Sequence, residues 1–206
     1  MKLVKEVCIE SFQEAVLAEA AGATRIELCE NLLCGGTTPS YGTIKKTIEI
    51  LHVPVMVMIR PRGGDFCYSV EEFDIMRHDI GICRKLGVYG VVFGMLNNDL
   101  TIDLERTAEL VNLARPMQVT FHKAIDSAKD IILATEQLKK MGIDRILSSG
   151  GRATAIEGGE TLREMIEIAG EPMKIIVAGK ITWENFDAVK QLIPAKEYHG
   201  RRLIRH

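Results

Sequence analysis

Short β-branched, apolar runs alternate along this chain with longer stretches whose apolar positions recur at helical spacing. The runs predict strands over Val4–Ile9, Arg25–Cys29, Val53–Arg60, Gly90–Phe93, Gln118–His122, Arg145–Ser148, Lys174–Ala178 and Lys196–His199. Helix signals stand between them. Ser11 with Glu14, and Ser69 with Glu72, have the spacing at which hydroxyl and carboxylate each satisfy an open helix N–H. Gly22, Gly87 and Gly142 fall where helices end on a left-handed residue.

Strand and helix in strict alternation imply a parallel sheet with right-handed crossovers, which leaves an open doubly wound sheet or a closed barrel. The strand faces choose between them. In the first two strands Val7, Ile9, Ile26 and Leu28 point one way, while Glu6, Cys8, Glu27 and Cys29 point the other. A sheet covered on both sides would read almost continuously apolar. One apolar face and one face of acids and thiols fit a (β/α)8 TIM-type barrel with helices outside. Residues 1–206 are read as a single barrel domain. Only Arg201–His206 follow the eighth strand closely, so the final outer helix is expected to be missing. An apolar strip between the first and seventh helices would then suit a partner subunit, and a homo-oligomer is expected.

Composition narrows the class. The 206 residues carry 26 Lys+Arg against 28 Asp+Glu, which leaves no basic surplus for nucleic acid. No apolar run reaches the ~20 residues of a membrane helix, and no signal-peptide pattern opens the chain. Five cysteines without a C-x-x-C argue against a disulfide framework or structural zinc. A cytoplasmic protein is expected, with no nucleic-acid or membrane partner.

Chemistry in such a barrel sits at the C-terminal ends of the strands. Cys8 and Cys29 occupy equivalent places on neighbouring strands, expected ~4.8 Å apart, and paired thiolates suit a soft ion, above all Cu(I). Met56 or Met58 could add a thioether. Against this, free cysteine commonly packs as a small hydrophobe. Arg60 and Arg62 flank a proline and precede two glycines; with Ser149, Gly150 and Gly179 they form a candidate anion site for a small carboxylate or phosphate. The plainer alternative is an Arg62–Asp65 pair and ordinary turn glycines. His122, with Glu6 or Glu27 and Asp65 as further candidates, could move protons. Interior glutamates could equally form a structural network with Arg25, Arg60 or Arg62. Asp126 follows the fifth strand, and His199 lies on the eighth.

At these residues the chain closely resembles the CutC-type copper homeostasis proteins. The likeness runs through Glu6-Val-Cys8, Arg25-Ile-Glu-Leu-Cys29, Gly35-Gly-Thr-Thr-Pro-Ser40, Ile59-Arg-Pro-Arg-Gly-Gly-Asp-Phe-Cys-Tyr68, Val119-Thr-Phe-His-Lys-Ala124 and Leu147-Ser-Ser-Gly150. The resemblance implies a (β/α) barrel, a cytoplasmic oligomer and a role in copper handling, with Cys8 and Cys29 standing where that family's suggested Cu(I) ligands stand. It brings no established reaction. Two departures are visible: family members usually continue into a final helix, and Lys180 stands where a further glycine is common.

Two functions follow as expectations. The first is a copper homeostasis protein holding Cu(I) between Cys8 and Cys29 for buffering or delivery. The second is a barrel enzyme acting on a small anionic metabolite, with Arg60 and Arg62 as the clamp and His122 plus a glutamate as acid and base. A purely structural interaction module would leave the polar mouth unexplained.

Overall fold

The computed structural model describes residues 3–205. Strands β1 (Val4–Ile9), β2 (Arg25–Leu28), β3 (Val55–Met58), β4 (Gly90–Phe93), β5 (Gln118–Phe121), β6 (Arg145–Ser148), β7 (Lys174–Val177) and β8 (Glu197–His199) pair in chain order, all parallel. β8 pairs back onto β1, which closes the barrel. Outside it lie α1 (Phe12–Ala20), α2 (Tyr41–Ile50), α3 (Val70–Leu86), α4 (Leu104–Ala114), α5 (Ile131–Lys140), α6 (Gly159–Ala169) and α7 (Phe186–Leu192). Among the described residues no helix follows β8. Val16 and Leu17 of α1 are exposed. Among the described residues no helix is long and apolar enough to cross a membrane.

Local signals set the helix limits. Ser69 caps α3 in a full capping box with Glu72, and Gly87 ends that helix at φ +73°. The Ser11 hydroxyl accepts from Glu14 N–H, but the Glu14 carboxylate reaches the Glu10 N–H rather than the cap residue's own. Several strands are a residue or two shorter than the runs predict, although Cys29, Ile59, His122 and Ala178, just past their ends, still donate backbone hydrogen bonds to the neighbouring strand.

The two strand faces behave as the alternation implies. Val7, Ile26, Leu28, Val57, Val91, Phe93 and Val119 are fully buried against the helices. Burial of each such side chain contributes roughly 1.5–3 kcal/mol. The inner face holds a smaller apolar cluster of Cys8, Cys29, Met56, Met58 and Val92. Beneath it runs a buried ionic layer. Arg25 bridges Glu6 and Glu197, and Arg145 Nε reaches the same Glu197 Oε2 at 3.1 Å while its Nη1 donates to Gln118 Oε1 at 2.9 Å. Removing one partner from such a network leaves an uncompensated charge, at a cost of about 3–5 kcal/mol.

Candidate functional site

β1 and β2 carry the thiols, but their register is staggered. Cys8 stands opposite Glu27, and Cys29 lies just beyond the end of β2. The two cysteines are therefore not at equivalent positions, as simple strand-end alignment implies. They nevertheless meet inside the barrel, in one inner cluster with Met56 and Met58. The Cys29 thiol donates to Glu27 Oε2 at 3.5 Å.

Barrel closure adds His199, which β8 places beside Glu6 of β1. Its Nδ1 donates to Glu6 Oε1 at 2.8 Å, which turns Nε2 toward Glu27 Oε2 at 3.8 Å. Side-chain ligand atoms of Cys8, Glu27 and His199 all lie within 4.8 Å of one another. The electrostatics follow from that packing. The neighbouring Cys29 thiol draws the Cys8 thiol down to about 5 against its burial, and His199 and Glu27 add to the effect. Cys29 moves the opposite way, well above its usual value, through the neighbouring Cys8 sulfur, its burial and the Glu27 carboxylate. Burial disfavours a charged His199, yet Glu27, Cys8 and Glu6 outweigh it and push the imidazole well up. Burial raises the Glu27 carboxyl to about 8, against the pull of His199. Glu6 is also desolvated, but Arg25 and His199 hold it near 2. Glu6 thus sits in the structural network rather than as a free acid.

Cys8, Glu27 and His199 line a cavity of about 460 Å³ that Arg60, Phe66, His122 and Lys123 also line. Arg60 is buried, with Nη1 donating to the carbonyls of Cys34 and Gly36 and Nη2 to that of Gly64. Gly36 reaches it from φ +87°, where a side chain would be strained. His122 is equally buried. Its Nδ1 accepts from Ala124 N–H, so the proton rides on Nε2. Burial and the Arg60 charge push His122 down to about 3, so it is a neutral donor and not a base near neutral pH.

The remaining anion candidates go elsewhere. Arg62 donates to Glu72 Oε1 at 2.5 Å and to Asp65 Oδ1 at 3.0 Å, outside the cavity lining. Asp65 is largely exposed on that outer pair. The backbone N–H groups of Ser149 and Gly151 are filled by the Asp126 carboxylate, at 3.0–3.1 and 2.9 Å, and the Ser148 hydroxyl donates to it at 2.5 Å. Lys123 pairs with the same carboxylate and donates to Ser149 Oγ. A Cβ on Gly150 would strike Gly158 O at 2.4 Å, and one on Gly179 would strike Ala155 N at 2.6 Å, so both glycines serve close backbone packing. Sequence reasoning set His199 and Asp126 among the mouth residues without giving either a role. The signal for each was a polar residue at or just past a strand end.

The family model described as CutC family matches residues 3–204. The chain belongs to the CutC family. Among CutC relatives, the Mus musculus and Homo sapiens proteins named copper homeostasis protein cutC homolog are 43% and 42% identical over 194 residues, 94% of this chain and 71% of each relative. The CutC protein of Mesorhizobium japonicum is 43% identical over 96% of this chain and 77% of its own length. A solved structure of the Streptococcus agalactiae CutC protein superposes with a TM-score of 0.92 at 35% identity, covering 98% of this chain and 99% of that one. An aldolase, QR15, shares the fold alone, with a TM-score of 0.70 at 15% identity. In this CutC chain Lys180 takes φ +55°, the backbone region glycine occupies most easily.

Proposed function

We propose that this chain binds Cu(I) at the floor of the barrel mouth through Cys8 and Cys29, for buffering or delivery of the ion in the cytoplasm. The observation that carries this reading is the gathering of the two thiols in one inner cluster, with Glu27 beside both and His199 beside Cys8. Thiolate sulfur is the donor that Cu(I) prefers, and Met56 and Met58 share the same inner cluster. Cys8 is already drawn toward the thiolate, so an incoming cation displaces little bound proton there. The His199 imidazolium opposes a cation until it gives up its proton, which makes uptake pH-dependent. The names of the relatives support a copper role for the family.

Copper-edge X-ray absorption on protein loaded anaerobically with Cu(I) tests the ligand set. Sulfur neighbours that diminish in Cys8→Ser are expected. A spectrum with only nitrogen and oxygen neighbours would overturn the reading.

A further inference from the structure

The cavity also carries groups suited to a different guest. Arg60 is 4% exposed, and all its side-chain hydrogen bonds go to backbone carbonyls. No carboxylate among the described residues lies within 4.0 Å of it, and its Nε has no partner. Buried charges in folded proteins are ordinarily paired, because an uncompensated one is expensive to keep from water. Two further buried polar atoms are also unpartnered in residues that line the cavity: His122 Nε2 and Glu27 Oε1.

Three features define what would satisfy them. Arg60 calls for a negative group, and His122 Nε2–H calls for an acceptor oxygen, since its ring proton is fixed there by the Ala124 contact. Glu27 Oε1 is left to pair with a hydroxyl. The loop amides that could grip a phosphate are already taken by Asp126. About 460 Å³ falls within the range of roughly 300–1,000 Å³ typical of small-molecule sites, and Phe66, Leu32 and Leu147 give it apolar walls.

We infer that this cavity binds a small 2-hydroxycarboxylate, its carboxylate at Arg60, an oxygen on His122 Nε2 and its hydroxyl at Glu27. Glu27 also borders the thiols, but Arg60 and His122 do not belong to that cluster, so variants at these two test the site on metal-free protein apart from copper binding.

Isothermal titration of the metal-free protein with glycolate and L-lactate tests it, with acetate and inorganic phosphate as comparison anions. Saturable binding of the two hydroxycarboxylates is expected, weakened about tenfold or more in Arg60→Lys and in His122→Gln. Arg62→Gln, which alters the outer pair with Glu72, is expected to leave the affinity unchanged. Should Arg60→Lys fail to fold, the His122 ring nitrogens of the wild-type protein serve instead: their 15N resonances, assigned by their loss in His122→Gln, are expected to shift as glycolate is added. No saturable binding and no such shift would overturn the site. Equal affinity for acetate or phosphate would overturn the hydroxycarboxylate assignment.

Discussion

Cys8 and Glu27 are register partners on adjacent parallel strands, and that pairing organises the thiol cluster. It sets a carboxylate directly beside one sulfur and leaves Cys29 a step further along the barrel axis, where its thiol donates to Glu27 Oε2 at 3.5 Å. β8 then brings His199 against Cys8 and Glu27. One sulfur becomes acidic and the other does not.

Thiol reactivity is expected to divide accordingly. Pulsed alkylation followed by mass spectrometry should modify Cys8 with a midpoint near pH 5, while Cys29 and the buried Cys83, raised to about 12, stay unreactive near neutrality. His199→Gln should move the Cys8 midpoint upward. A midpoint near the ordinary thiol value of 9.0 in the wild-type protein would contradict the cluster as described.

Glu6 links stability to pH. Its folded value, near 2, lies below the ordinary 4.5, so its contribution is fully present above about pH 4.5 and is lost as the pH falls toward 2. Glu6→Gln is expected to be less stable than wild type at pH 7, by about 3–5 kcal/mol, because Arg25 and His199 lose a partner. Its unfolding free energy should also fall less between pH 5 and pH 3. Denaturant titrations across that range decide the matter, and an unchanged slope would count against the role given to Glu6.

Asp126 acts as an internal anion for the loop after β6. Asp126→Ala should lower stability by about 3 kcal/mol, since the Ser149 and Gly151 N–H groups lose their acceptor. Inorganic phosphate is expected to restore part of the loss in the variant and to leave the wild-type melting temperature unchanged. Thermal melts with and without phosphate separate the two; equal responses would show the amides were never filled.

Gly94 holds the His122 ring in place. An ideal Cβ there would lie 2.6 Å from Nδ1, so Gly94→Ala must displace the imidazole or the strand end. A stability loss of about 1–3 kcal/mol is expected. The His122 ring 15N signals should shift even where the overall fold is retained, and unchanged signals would contradict the close contact.

The sequence pattern carried the barrel well and the site less evenly. Alternation of Val7 and Ile9 with Glu6 and Cys8 was enough to assign inner and outer faces, because strand periodicity is local. Register is not local: nothing in either strand alone shows that Cys8 faces Glu27. Closure is less local still, since His199 meets Glu6 from 193 residues away. Arg60 and Arg62 look equivalent in sequence, yet Glu72 of α3 draws one outward while backbone carbonyls hold the other inside. The Ser149 loop reads as an anion site because its amides form one; Asp126, 23 residues earlier, fills it.

The most direct measurement is an anaerobic Cu(I) titration against a chromophoric chelator, comparing the wild-type chain with Cys8→Ser/Cys29→Ser. Tight uptake of close to one ion per chain that disappears in the double variant is the expected result. Weak binding, or binding unchanged by loss of both thiols, would make Cys8 and Cys29 packing residues and contradict the copper site.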